Sequence, residues 1–303
     1  MAFTLTILGS SSALPTSQRY TTAQVLNILE RFFLIDCGEG TQIQLRKYKI
    51  RFGKINHIFI SHLHGDHIFG LFGLISSFIL YGRKNDLHIY CDKELENILF
   101  NHLKYFDGDI GFKIIYHYLK SGTSELIYND DLVEVITIPL NHRMPCSGFL
   151  FKEKTKLLKI DKEKIQKYNI PIKDIAKIKE GSDYITNNGE VIKNSLLTLS
   201  SVKSKSYAFC SDTAYSESII PLIKDVDLLY HEATFKQDLI KRAKETFHST
   251  AIQSATIAKK ANVKKLIIGH FSVRYKNIDS LLNEAKSVFE NTIAAEDGLS
   301  VTI

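Results

Sequence analysis

Ile60-Ser61-His62-Leu63-His64-Gly65-Asp66-His67 sets three imidazoles and a carboxylate close together, directly behind the apolar run Ile58-Phe59-Ile60. Nitrogen and oxygen donors at this density, with no thiolate among them, favour a transition metal, zinc ahead of manganese or iron, and hydrolytic chemistry. In an extended segment, residues two apart project to the same side, so His62 and His64 can chelate one ion while Leu63 points into the core. Gly65 then gives the backbone freedom to turn, which starts Asp66 and His67 on a helix continuing through Phe69, Leu71, Phe72 and Leu74. One pair facing one way and a second pair facing another suit two neighbouring ions better than one closed tetrahedral site. The bland alternatives are a histidine-rich surface loop or a single structural zinc, and structural zinc normally relies on cysteine.

Three further candidates each follow a strand-like run, where loops from distant segments can converge on one sheet edge. His142 follows Val135 to Leu140, Asp212 follows Tyr207 to Ser211, and His270 follows Leu266 to Gly269. His248 opens a helix capped by Ser249 or Thr250 and running to Lys260. Beside so dense a first motif, ligation is the better reading for His142, Asp212 and His270. His57, His88, His102, His117 and His231 lack such a setting and are read as structural or exposed. Strands are expected at residues 3 to 8, 24 to 29, 31 to 36, 58 to 60, 87 to 90, 113 to 118, 132 to 139, 196 to 199, 207 to 210, 228 to 230 and 266 to 268. Helices are expected at 41 to 48, after the metal loop, and at 278 to 290. Strands alternating with helices predict two sheets sandwiched between helices, with metals held at one edge by loops.

The chain has 303 residues, 44% of them hydrophobic and 11% aromatic, enough to build a large core. Phe3, Leu5 and Ile7 alternate with threonines with no preceding Lys or Arg, a strand pattern and not an export signal. The apolar stretch from Ile68 to Tyr81 falls short of the about 20 residues a bilayer requires. A cytoplasmic protein with no membrane association is therefore expected. Cys37, Cys91, Cys146 and Cys210 are widely spaced, as suits reduced thiols in the core. The net charge of +6 permits an anionic partner without demanding one. Its distribution is uneven: residues 151–193 carry 11 lysines against 7 acids and interrupt the compact pattern on either side. That stretch is either a set of solvated helices or an arm that contacts phosphates.

The H-x-H-x-D-H pattern resembles the metallo-β-lactamase superfamily, and further motifs resemble ribonuclease Z, the tRNA 3′-processing endonucleases, over nearly the whole chain. They are Leu8-Gly9-Ser10, Asp36-Cys37-Gly38-Glu39-Gly40-Thr41-Gln42, Asn141-His142-Arg143-Met144-Pro145-Cys146-Ser147-Gly148-Phe149, Ser211-Asp212-Thr213, His231-Glu232-Ala233-Thr234-Phe235, His248-Ser249-Thr250-Ala251 and His270-Phe271-Ser272-Val273-Arg274-Tyr275. The resemblance implies an αββα sandwich of two mixed sheets in a single domain over 1–303, with residues 151–193 as an inserted arm serving as a tRNA exosite. It implies two zinc ions per subunit: His62, His64 and His142 for the first, Asp66, His67 and His270 for the second, Asp212 bridging. It also implies Asp66 as the base that orients an attacking water, His248 as proton donor to the leaving oxygen, and Glu232 as the group that orients His248. Precursor tRNA would be cut to a tRNA 3′-hydroxyl and a trailer 5′-phosphate by a homodimer. Two segments depart from the family pattern. The usual Pro-x-Lys-x-Arg-Asn reads Pro15-Thr16-Ser17-Gln18-Arg19-Tyr20, and the Gly-Pro-rich arm tip reads Asn169-Ile170-Pro171-Ile172-Lys173. The competing functions are another hydrolase of the superfamily, such as a small-molecule phosphodiesterase, and an RNA-binding protein with a structural metal.

Overall fold

A computed structural model describes residues 3–105, 110–154, 157–199 and 203–303. In chain order the strands are β1 (Phe3–Gly9), β2 (Ala23–Ile28), β3 (Arg31–Ile35), β4 (Ile55–Phe59), β5 (Leu87–Cys91), β6 (Ile114–Tyr118), β7 (Leu126–Asn129), β8 (Val133–Pro139) and β9 (Ser147–Glu153). Then come β10 (Lys159–Ile160), β11 (Tyr184–Ile185), β12 (Val191–Ile192), β13 (Thr198–Leu199), β14 (Ser206–Cys210), β15 (Leu228–Glu232), β16 (Leu266–Gly269), β17 (Thr292–Ala294) and β18 (Ser300–Thr302). One sheet has the order β18-β1-β2-β3-β4-β5-β6, and a second has the order β17-β16-β15-β14-β9-β8-β7. Both are mixed. β3 to β6 run parallel in the first and β14 to β17 in the second, while β1, β2 and β3 pair antiparallel, as do β9 and β14.

Period-two alternation decides which side chains fill the space between the sheets. Phe3, Leu5 and Ile7 of β1 point inward and are sealed from solvent, while Thr4 and Thr6 take the opposite face. Phe59 meets Phe149 of the facing sheet edge-on at 5.5 Å and stacks on Tyr90 at 4.4 Å. Truncating so buried a ring to alanine costs about 3–5 kcal/mol. The other face of the first sheet carries Val25, Leu34, Ile58 and Ile89, covered by Leu71, Leu74 and Phe78 of the helix Gly70–Leu80 and by Leu95 and Leu99 of the helix Glu94–Leu103. Helices Ala251–Lys260 and Asp279–Val288 pack on the second sheet through small residues, Ala255, Ala258 and Ala285 among them. The result is the αββα sandwich.

The chain divides into two compact units, one running up to Lys152 and resuming at Lys205, the other spanning Glu153–Ser204. The second unit holds the two-stranded pairs β10–β13 and β11–β12 and the helices Lys162–Lys167, Ile172–Lys179 and Asn194–Leu197. Its small core is Ile170, Ile178, Ile192 and Leu197. Asp161 caps its first helix, accepting from the backbone N–H of Glu163 and Lys164. Within the expected 151–193 arm, residues 155 and 156 lie outside the described residues, as do 1 and 2 of the N-terminal stretch.

The structure corrects several expected elements. Phe151 and Lys152 belong to β9 and not to the arm, because Phe151 is fully buried between the sheets. Residues 196 to 199 are not one strand: Asn194–Leu197 form a helical turn that buries Leu197, and only Thr198–Leu199 pair, with β10. β4 begins three residues early, and the helix after the metal loop is two helices meeting at Phe69, Gly65–Ile68 and Gly70–Leu80. Gly65 takes no left-handed φ. Its lack of a side chain instead makes room for the exposed Phe69 ring, which a Cβ would approach to 2.3 Å and push aside.

Candidate dinuclear metal site

The residues singled out in the sequence converge where the parallel strands of both sheets end. His62 and His64 follow β4, His142 follows β8, Asp212 follows β14, and His270 follows β16. Asp212 and His270 leave their strands with φ of 57° and 59°, and Asp36, just after β3, has φ of 55°. Non-glycine residues rarely adopt this left-handed turn, and such strain collects at functional sites. It turns each side chain sharply off the end of its strand into a shared cluster.

Two groups of ligand atoms result: His62, His64, His142 and Asp212 in one, Asp66, His67 and His270 in the other. The Asp212 carboxylate stands between them. Its Oδ1 is 3.2 Å from His67 Nε2 and 3.0 Å from His270 Nε2, and its Oδ2 is 3.5 Å from His62 Nε2 and 3.9 Å from His142 Nε2. Asp66 Oδ2 lies 3.4 Å from both His67 Nε2 and His270 Nε2 and accepts a hydrogen bond from the Ala13 backbone at 2.8 Å.

Four of the imidazoles, those of His62, His67, His142 and His270, are held from behind, which fixes the nitrogen each presents. His67 Nδ1 donates to Asp36 Oδ2 at 2.7 Å, and His142 Nδ1 to the Phe247 carbonyl at 3.1 Å. His62 Nδ1 lies 3.0 Å from Ser61 Oγ, which itself donates to Asp36. His270 Nδ1 lies 3.0 Å from Thr234 Oγ1, which donates to Glu232. The Nε2 atoms of His67 and His270 are buried facing the Asp66 and Asp212 carboxylates at 3.0 to 3.4 Å, without the geometry of a hydrogen bond. A buried polar atom without a hydrogen bond is costly, so the donor set fits a cation that would take both lone pairs.

Charge points the same way. Burial opposes a charge on His67 and His270, but Asp66, Asp212 and their neighbours outweigh it, raising His67 well above its ordinary value and His270 to about 10. Burial also opposes charge on Asp212, and the surrounding imidazoles hold it ionised regardless. In the first group, burial lowers His62, His64 and His142, so their rings stay neutral and free to ligate. The carboxylates thus require compensating positive charge, which divalent cations supply.

His248 sits beside this cluster, and proximity alone would also group it with Asp212 and His270. Its Nδ1 is 2.8 Å from Glu232 Oε1. Glu232 is fully buried and also accepts from the backbone N–H of Thr213 and Ser249. Burial works against a charged His248, but Glu232 outweighs it and raises the imidazole above its usual value. His231 turns away, Nδ1 against the Glu232 carbonyl, and His57, His88 and His117 form a row across β4, β5 and β6. Sequence reading gave no role to Asp36, Ser61, Thr234 or the Phe247 carbonyl. The only signal available was a polar residue placed directly after a strand.

The main chain pins the two motif segments together. Cys37 N–H donates to the His67 carbonyl at 2.8 Å, and the Cys37 carbonyl accepts from Gly70 N–H at 2.9 Å. A Cβ on Gly38 would lie 2.6 Å from the Asp66 carbonyl, and one on Gly70 2.0 Å from that of Gly38.

An αββα sandwich with paired ligand groups at its strand ends is the arrangement of a metallo-β-lactamase-fold hydrolase with a metal cofactor. Known structures agree. The short form of human tRNase Z is similar with a TM-score of 0.73 at 27% identity, each chain covered to 99%. The metallo-β-lactamase-fold protein YhfI of Bacillus subtilis shares the fold at 0.70, with 18% identity and complete coverage of both chains. A family model describing the anti-Pycsar protein Apyc1 matches residues 3–107, the part that carries the His62 to His67 motif. Ribonuclease Z of Bacteroides thetaiotaomicron is 50% identical over 99% of this chain and 95% of its own, and that of Porphyromonas gingivalis is 45% identical over 100% and 99%. The chain belongs to the ribonuclease Z family.

Proposed function

We propose that this protein is a zinc-dependent endoribonuclease that removes the 3′ trailer from precursor tRNA, leaving a tRNA 3′-hydroxyl and a trailer 5′-phosphate. The observation that carries the reading is the Asp212 carboxylate, with one oxygen toward each ligand group. His62, His64 and His142 would hold one zinc and Asp66, His67 and His270 the other, with Asp212 shared. Bound there, the ions would offset the phosphodiester charge and lower the proton affinity of water. Asp66, anchored by Ala13 N–H, orients the attacking water and takes its proton. His248, its Nδ1 tied to Glu232, keeps Nε2 to protonate the departing O3′. A cavity lined by His64, Asp66, Asp212, His248 and His270 opens onto the metal site, and Arg143, on its wall, adds positive charge for the scissile phosphate.

The Glu153–Ser204 unit supports a second element of the reading, an exosite for folded RNA. Its lysine surplus suits contacts to phosphates along a shape-recognised substrate. We place the enzyme in the cytoplasm as a homodimer. Among the described residues no helix is long and apolar enough to cross a membrane.

The test offers zinc-loaded protein a precursor tRNA with a 3′ trailer and, separately, bis-p-nitrophenyl phosphate. Cleavage of the precursor at the trailer junction is expected. An intact precursor alongside a hydrolysed ester would instead favour a small-molecule phosphodiesterase. Chelator-resistant RNA binding with no cleavage would point to a binding protein.

A further inference from the structure

A second cavity, of about 500 Å3, opens beside the metal site and shares His248 with it. Its walls include Tyr215, Ile240 and Phe247, and its rim carries Lys241 and Lys244. Ile240 and Phe247 are 40% and 37% exposed, so apolar surface is left open to solvent. Phe247 holds a φ of 57°, a costly conformation for a bulky residue. That turn hands its carbonyl to His142 and leaves its ring on the cavity wall. Lys241 and Lys244 lie three residues apart on the helix Ile240–Thr246, hence on one face, and neither makes an ion pair among the described residues. Aromatic walls with cations at the rim are the chemistry that binds a single-stranded nucleotide, the base by stacking and the phosphate by charge. The size is within the range of small-molecule sites.

We propose that this cavity is the subsite for the nucleotide on the 5′ side of the scissile phosphate, the last residue of the mature tRNA, with its base against Tyr215 and Phe247 and its own 5′-phosphate near Lys241 and Lys244. The assignment rests on the proposed function, because the nucleotide that carries the leaving O3′ must lie on the side of the proton donor, and His248 is the residue the two cavities share. The first trailer nucleotide leaves with the phosphate and falls on the opposite side.

The test is a cycle of substrate and protein changes on the zinc-loaded enzyme. An abasic residue at the last mature position should lower kcat/KM about ten-fold or more for the native enzyme, as expected for one lost stacking contact, whereas an abasic first trailer residue should do less. With Tyr215→Ala or Phe247→Ala the abasic penalty should shrink toward none, since the wall it acts through has been removed. Replacing Lys241 and Lys244 by alanine should flatten the salt dependence of KM by roughly one power of salt concentration per lysine. A native enzyme that cuts the intact precursor but does not register the abasic residue, or registers it only in the trailer, would overturn this assignment alone. An uncut intact precursor would instead overturn the function on which it rests. Should either aromatic variant fail to fold, the native enzyme with the two abasic substrates still decides the question.

Discussion

Asp36 accepts a 2.7 Å hydrogen bond from His67 Nδ1, and both side chains are sealed from solvent. The same carboxylate accepts from the Ser61 backbone at 2.7 Å and from the Ser61 hydroxyl at 2.9 Å, so one residue behind the site orients His67 directly and His62 through Ser61. Asp36→Asn is therefore expected to lower zinc affinity about 10–100-fold. Competition with a chromogenic chelator measures this, and an unchanged affinity would remove Asp36 from the orienting role.

Asp66→Ala and His248→Ala should both abolish turnover, each by about 100-fold or more. They should differ in metal content. His248→Ala is expected to keep both ions because its ring is tied to Glu232, and substantial metal loss in that variant would reassign His248 as a ligand.

Metal removal should cost stability as well as activity. The apo site leaves buried carboxylates and two imidazole nitrogens without hydrogen bonds, and an ion at about 1,000 times its Kd adds roughly 4 kcal/mol. A Tm that does not fall on chelation would argue against a pair of tightly held ions.

Acid sensitivity is expected from His57. Burial, with His88 and His117 alongside, pushes its imidazole down to about 4. The folded value lies below the unfolded one, so stability is complete above the unfolded value of about 6.5 and is lost as pH falls from there toward the folded value. His57→Gln should be less acid-labile across that window, by roughly 2 kcal/mol after allowance for the exposed part of the ring. Urea unfolding at both ends of the window checks it, and parallel losses in the two proteins would refute it.

The inserted unit should be removable. Lys152 of β9 pairs with Ser206 of β14, so the excursion between them leaves and returns at adjacent strand positions that a short Asn-Gly turn can join. The shortened protein should lose far more kcat/KM on precursor tRNA than on the small ester. Equal losses on both would contradict the exosite.

The metal cluster was legible because four of its donors fall within six consecutive positions and the other three each follow a strand. The αββα layering followed from strands that alternate with helices. What stayed hidden was contact over long sequence distances: Phe247 behind His142, Thr234 behind His270, Asp36 behind His67. No local pattern encodes such a pairing. The helix Glu94–Leu103 was missed because it buries little more than Leu95 and Leu99, too thin a stripe to stand out. Leu197 was misread because a helical turn and a strand can bury an isolated leucine equally well.

The Cys37 bonds to His67 and Gly70, packed through Gly38, fix the Asp66–His67 part of the ligand set against the turn after β3. Ligands braced in this way are held in position before any ion arrives. Discrimination among divalent ions then falls to preferred bond length and donor type, and a misfit is rejected instead of accommodated. Enlarging Gly38 or Gly70 by a single methyl would pry the two segments apart and forfeit that discrimination before disturbing the sheets beneath.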